Sequence, residues 1–308
     1  MDDTPTRTEE PVDPETLAAS TTAFSLVADE TRLEILVTLV TETSGRGGDA
    51  SLSFSELRHA VGVDDSGRFN YHLDSLTGTF VREADDGQYA ATWIGAQLAG
   101  RVAAGAFADD TVSVEASVAP SCPDCDRESE LDYDGTVLSV DCPDHGTVAG
   151  VPAPPTAVRG RDADELFRRL RDTIARRVES IRSGTCPVCG APVTTRLSPD
   201  PPSDTDRYTG IPWATYDCRG CWLDGTTPVQ ELCPGHPAAR VLCLTAGYAA
   251  SGFAVSSGRD GLAVDTDTTA RDPPRAEVTF TADDLCVTVG LDERLNTVGD
   301  PTPSPVSE

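Results

Sequence analysis

The chain contains no lysine; all 24 of its basic residues are arginine. It has a single methionine, three tryptophans and four histidines, and only 6% of its residues are aromatic. No run of 18 apolar residues occurs, so nothing reads as a transmembrane helix. The opening MDDTPTRTEEPVDPE lacks the pattern of a signal peptide, which points to a cytoplasmic protein with no membrane partner. A Gly-rich phosphate loop and a nucleophile–histidine pair are also missing, so the chain is expected not to be an enzyme. Its 308 residues allow two or three small domains.

Acid is what the chain has in excess. Its 51 Asp and Glu give a formal charge of -27, and the acids are dispersed rather than gathered in one tail. Abundant acid with no lysine suggests adaptation to molar salt. There the Debye length is about 3 Å, so net charge neither repels nor steers a polyanion. The balance is also local: residues 51–82 hold three arginines against four acids.

Residues 14–110 read as one α-helical unit with a hairpin. In FSLVADETRLEILVTLV, Asp29 stands at an N-cap and Glu30 in the first turn, with Leu33, Leu36, Val37 and Val40 at helical spacing. A loop with Gly45, Gly47 and Gly48 follows, then a short helix SFSELRHAVG, a turn VDDSG and a second helix RFNYHLDSLTG. The segment FVREADDGQYAAT alternates around Asp86-Gly87, a hairpin signal. TWIGAQLAGRVAAGAF supplies a last helix. That order is the order of a winged helix-turn-helix. In the second helix Phe69, Leu73 and Leu76 share one face, the expected core, with His72 at its border. Ser66, which is placed to cap that helix, and Arg68, Asn70, Tyr71 and Ser75 are the candidate DNA contacts. Arginine suits guanine edges or phosphate, asparagine suits adenine, and serine or tyrosine suits phosphate.

Ten cysteines in a reducing compartment argue for metal rather than disulfides. Cys122-Pro-Asp-Cys125 is followed after 16 residues by Cys142-Pro-Asp-His145. Cys186-Pro-Val-Cys189 is followed after 28 residues by Cys218-Arg-Gly-Cys221. Two residues between ligands make a knuckle, and two knuckles make a closed tetrahedral shell for Zn²⁺. The expectation is two structural zinc ions, in ribbons over 118–152 and 184–228. A rival set, Cys218, Cys221, Cys233 and His236, would orphan the CPVCG knuckle. Cys233, His236, Cys243 and Cys286 are therefore read as non-ligands, with Cys243 and Cys286 as buried small apolar residues.

Between the ribbons, a helix over 158–183 carries the apolar stripe Leu166, Leu170, Ile174, Val178 and Ile181. Residues 157–182 hold eight arginines and five acids, and the arginines do not gather on one face. The stripe is expected to dock one ribbon against the other, or to pair with its copy in a dimer. Residues 199–207 read as a loop, and 229–294 as a helix followed by a hairpin turning at Asp283-Asp284. The ends, 1–13 and 295–308, read as disordered. The fold class is thus α+β: a winged helix-turn-helix followed by two zinc-ribbon-like lobes joined by a helix.

The blocks ADETRLEIL, FSELRHAVGV and SGRFNYHLDSL resemble the ArsR-like winged-helix regulators, especially their haloarchaeal branch, over the first third of the chain. The paired knuckles that follow look like haloarchaeal proteins of this type. The resemblance implies a transcriptional regulator that binds double-stranded DNA as a homodimer, through helices near 16–27 and 93–106. One departure matters. Metal-sensing members carry Cys or His ligands in the helix before the reading helix or in the last helix. Here the first has only His59 and the second has none. A second reading is a basal or RNA-polymerase-associated factor, because archaeal transcription factor E also joins a winged helix to a zinc ribbon.

Overall fold

The computed structural model describes residues 13–45, 50–84, 86–108, 112, 114–118, 122, 125, 127–200, 211–221, 223–233, 236–245 and 262–306. The chain divides into two units, Met1–Asp110 with Pro154–Ala157, and Thr111–Ala153 with Val158–Glu308.

In the first unit, side-chain caps set the helix starts. Asp13 accepts from the amides of Glu15 and Thr16 and opens α1 (Pro14–Val27), so it is an ordered cap rather than part of a tail. Asp29 accepts from the Arg32 amide at 3.0 Å and opens α2 (Glu30–Thr43). A two-residue strand β1 (Leu52–Ser53) leads into α3 (Phe54–Val61), where Ser53 and Glu56 form a reciprocal capping box. Gly62, at φ 77°, ends α3 in the left-handed conformation that glycine adopts without strain. Then come α4 (Ser66–Leu76), β2 (Val81–Glu83), β3 (Gln88–Ala91) and α5 (Trp93–Ala103). The three strands form one antiparallel sheet in the order β1-β3-β2. Gly47 and Gly48 of the expected loop lie outside the described residues.

Two sequence expectations shift here. Asp65, not Ser66, caps α4: its carboxylate accepts from Gly67 and Arg68, and Ser66 is the first helical residue. A carboxylate is the stronger acceptor at the positive end of a helix. On α2, Ile35, Leu36 and Leu39 are fully buried, whereas Leu33, Val37 and Val40 are half-buried. The helix meets α1, α3, α4, β3 and α5, so more than one face is covered and the periodic stripe understates its core.

In the second unit, β4 (Glu115–Val118), β5 (Ser129–Tyr133), β6 (Val137–Cys142) and β7 (Gly146–Pro152) form a four-stranded antiparallel meander. After a short α6 (Pro155–Val158), whose first three residues belong to the first unit, comes α7 (Ala163–Arg182), capped by Asp162. Leu131, Tyr133, Leu138, Val140 and Val151 of the sheet pack against Leu166, Phe167 and Leu170 of α7. Burying an aliphatic or aromatic side chain of this size contributes about 1.5–3 kcal/mol. This lobe therefore has an apolar core besides its cysteines.

The second sheet runs β10-β9-β8, from β8 (Val193–Ser198), β9 (Trp213–Cys218) and β10 (Asp224–Pro228). A 3₁₀ turn (Val229–Glu231) and α8 (Pro237–Thr245) follow. The third sheet is larger than the expected hairpin. It comprises β11 (Leu262–Arg271), β12 (Pro274–Ala282) and β13 (Leu285–Leu291), with the short strands β14 (Thr297–Val298) and β15 (Ser304–Pro305) both on β13. Alternate residues of β12 and β13, among them Val278, Phe280, Val287 and Val289, pack against Leu242 and Cys243 of α8. The C-terminal stretch is thus not a free tail. Backbone pairing needs no apolar side chains, so composition did not announce it. Cys286 is another correction: it is half-buried, with Sγ 3.5 Å from Ser304 Oγ on β15.

Gly95 fixes α5 against the hairpin. A Cβ there would lie 2.1 Å from the Phe80 carbonyl oxygen, whereas one on Gly100 would meet nothing within 4 Å. Gly95→Ala should therefore destabilise the first unit by about 1–3 kcal/mol. Gly100→Ala should stabilise it by about 0.5–1 kcal/mol. Denaturant unfolding of both variants in molar potassium salt checks the pair, and equal effects would contradict the packing.

Candidate functional site

Two sets of side chains converge in the second unit. Cys122, Cys125, Cys142 and His145 form one, and Cys186, Cys189, Cys218 and Cys221 the other; within each, the ligand atoms all lie within 4.8 Å of one another. All eight residues singled out by spacing are in these two clusters, and among the described residues no third cluster forms.

The local backbone explains the convergence. In the second cluster Cys186 and Cys189 share a tight turn: the Gly190 amide donates to the Cys186 carbonyl at 3.0 Å, and the Cys186 amide to the Ala191 carbonyl at 2.8 Å. Gly190 takes φ 77°, which lets the chain reverse immediately after Cys189. The Val188 amide points at Cys186 Sγ at 3.4 Å, and across the site the Gly220 amide points at Cys218 Sγ at 3.3 Å and Leu223 at Cys221 Sγ at 3.4 Å. Such donors favour thiolate over thiol. Pairing of Val193 with Cys218 brings β8 and β9, and hence both knuckles, to the same end of the sheet.

The first cluster follows the same plan. The Cys122 amide donates to the Arg127 carbonyl at 2.7 Å, and the His145 amide to the Cys142 carbonyl at 3.3 Å. Arg127, just beyond the first knuckle, meets Asp144 of the second at 2.9 Å. Exposed pairs of this kind stabilise little.

Distances identify what the clusters fit. Four sulfurs bonded at about 2.3 Å to one tetrahedral ion stand about 3.8 Å apart. Here Cys186 and Cys221 sulfurs are 3.7 Å apart, those of Cys189 and Cys218 3.5 Å, and those of Cys125 and Cys142 3.6 Å. His145 Nδ1 lies 3.5 Å from both Cys122 and Cys142 sulfurs. Each set could hold one metal ion, consistent with zinc.

The thiols respond to that crowding. Burial pushes Cys142 up, but amides of Asp144 and His145, with the His145 ring and Cys122, bring it down to about 6. Cys186, likewise raised by burial, is brought down to about 6 by the amides of Cys189 and Val188 and by neighbouring thiols. Cys189 receives the Ala191 amide, which lowers it, yet burial and three adjacent sulfurs drive it to about 12. Four thiolates at such spacing need a cation at their centre to ionise together.

The remaining cysteines lie elsewhere. Cys233 is buried in the apolar core under the third sheet, donates to the Val229 carbonyl at 3.5 Å and is pushed up to about 12 by burial. His236 precedes α8 and accepts from the Ala238 amide at 3.3 Å. Burial, then the Arg182 guanidinium, lowers its pKa. The rival ligand set is therefore not assembled.

In the first unit the structure places Ser66, Arg68, Asn70 and Tyr71 exposed on α4, with Ser75 half-buried beside them. Phe69, Leu73 and Leu76 on the opposite face are fully buried. Asn70 Nδ2 donates to Asp74 at 2.7 Å, and Ser75 Oγ donates to the Tyr71 carbonyl at 2.7 Å. Tyr71 is 62% exposed, yet the Arg32 guanidinium from α2 lies 5.6 Å from its ring centroid. Sequence reading missed Arg32, because only the packing of α2 beside α4 brings it to this surface. His72 is buried, with Nδ1 3.4 Å from Asp29, a structural position.

The metal assignment predicts two ions per chain by elemental analysis of protein purified under reducing conditions. Cys189→Ser should lose one and Cys233→Ser none. The opposite pattern would move the second centre to the rival set.

No helix among the described residues is long and apolar enough to cross a membrane. No curated protein and no solved structure matches the chain. Residues 20–102 match the family model described as a domain of unknown function, DUF7347. A second family model, described as a domain of unknown function, DUF7351, matches residues 119–297 and so spans both metal clusters. By that match over more than half of its length, the chain belongs to the DUF7351 family.

Proposed function

We propose that the first unit is a winged helix-turn-helix that reads double-stranded DNA, and that the chain is a transcriptional regulator with structural zinc in its second unit. The observation that carries this reading is the division of α4. Its inner face is fully buried apolar residues, and its outer face presents Arg68, Asn70 and Tyr71 to solvent. What supports the reading is the element order: α3, a turn and α4 are followed by the β2–β3 hairpin, the order expected of a winged helix-turn-helix. Arg68 is the foremost reader, since a guanidinium can grip guanine bidentately. The Asn70 amide is engaged with Asp74 and would have to release it to pair with adenine.

Zinc fits the soft thiolate-rich donor sets, and four protein ligands leave no open position for water or substrate. The role proposed for it is therefore to fix the two knuckle pairs. The acid excess without lysine supports a molar-salt setting, in which binding relies on close hydrogen bonds and shape.

A homodimer is part of the proposal. Phe24 on α1 and Ile94 on α5 are 70% and 61% exposed, and they border a shallow groove with Ala23 and Leu98. A second copy of this surface is the occupant in this reading.

Arg68→Ala should weaken binding to a mapped operator by about 1–3 kcal/mol without loss of fold. Asn70→Ala and Tyr71→Ala should weaken it less. Leu73→Asp should unfold the unit, because it buries an unpaired charge. Footprinting and titration in molar potassium salt test the set. Unchanged affinity in all three polar variants would favour the polymerase-associated reading, which needs no sequence recognition. Sedimentation should show Phe24→Glu combined with Ile94→Glu as a folded monomer; a dimer that survives would place the interface elsewhere.

A further inference from the structure

A cleft of about 340 Å³ opens within the second unit, between β7, the C-terminal half of α7 and the β9–β10 hairpin. The volume is in the range of small-molecule sites. It also explains the incomplete burial of the α7 stripe. Leu166 and Leu170 are sealed against the first sheet, whereas Ile174 and Val178 are half-buried and line the cleft. Residues 148–152 of β7 and Leu223 continue the aliphatic wall.

One charge is set into that wall. Arg177 is half-buried and lines the cleft. Its neighbours on the chain are engaged: Arg169 pairs with Glu165, Arg182 with Glu179, Arg171 lies over the Phe167 ring, and Arg176 donates to Thr173. Among the described residues Arg177 has no hydrogen bond or ion pair. Glu231, the acid on the lining, already has a partner.

Tyr216 stands beside it. Both side chains are half-buried and line the same cleft. Gly225 of β10 is the cross-strand partner of Tyr216; a Cβ there would fall 2.6 Å from the Tyr216 oxygen. Only glycine at that register position leaves the phenol in place.

We propose that this cleft binds a small aliphatic monocarboxylate, its carboxylate on the Arg177 guanidinium and the Tyr216 hydroxyl and its chain along Ile174, Val178 and the β7 wall. A guanidinium fork matches a planar carboxylate bidentately. A lone cation over an aliphatic wall does not suit a fully hydrated dianion. A half-buried pair is also screened less by salt than an exposed one.

The test uses full-length, metal-loaded protein in molar potassium chloride, titrated calorimetrically with octanoate. The expected result is one saturable site, at least tenfold tighter for octanoate than for butanoate or octylamine. Arg177→Gln and Gly225→Ala should each weaken octanoate tenfold or more, and Val178→Trp, which fills the cleft, should abolish binding, with metal content and circular dichroism unchanged. No binding to the wild type, equal binding of octylamine, or insensitivity to Val178→Trp would overturn the proposal. The carboxylate–amine comparison needs no variant, so misfolding of one substitution leaves the test intact. Because it is read without DNA, its outcome is separate from that of the operator experiments.

Discussion

The second unit depends on a single electrostatic condition: three or four cysteine sulfurs brought to one point without a positive charge repel as soon as they ionise. Both clusters meet that condition in the same way, with amides aimed at sulfur and two of four ligands buried. A bound cation would turn the repulsion into attraction. It would also lock the strand ends that carry the knuckles, because β6 ends at Cys142 and β9 ends at Cys218. Register in those sheets is then set at one end by ligand geometry and along the strands by backbone pairing. The lobes differ in how much else supports them. The first adds a core shared with α7, whereas around the second cluster Leu223 is, among the described residues, the one buried residue that is not a ligand, with Ala191, Val193 and Tyr216 half-buried beside it.

Ligand spacing was the most legible feature in the sequence, because a knuckle is a local device: two residues between ligands suffice, whatever the rest of the chain does. The inner face of α4 was legible for a similar reason, since Phe69, Leu73 and Leu76 follow helical period. Features set by long-range packing were not. The near approach of Arg32 to Tyr71 needs two helices side by side. Burial of Ile35 and Leu39 reflects neighbours on several sides of α2, which a one-sided stripe cannot show.

The C-terminal region shows the limit most clearly. Its hairpin turn, where Asp283 takes φ 51°, was readable from two adjacent aspartates. The ten-residue β11 and the late strands β14 and β15 were not, since β11 is rich in Asp and Thr, the late strands are two residues long, and their order comes from backbone pairing. The cleft beside Arg177 was hidden for another reason. It is bounded by segments from 148 to 232, and no sequence window contains both Val178 and Tyr216 as neighbours.

The third sheet has an architecture that bears on self-association through its edges. Open sheet edges are templates for pairing with other chains. On one side, β14 covers Gly290 and Leu291 while β15 covers Leu285 and Cys286, so the outer rim of β13 is occupied near both ends by the chain that follows it. On the other side, β11 presents Asp265, Asp267 and Arg271 among threonines, a rim whose charge discourages a second copy from docking in register. One rim is thus closed by the chain's own backbone and the other guarded by charge, which makes a sheet of exposed β-strands a poor seed for its own aggregation.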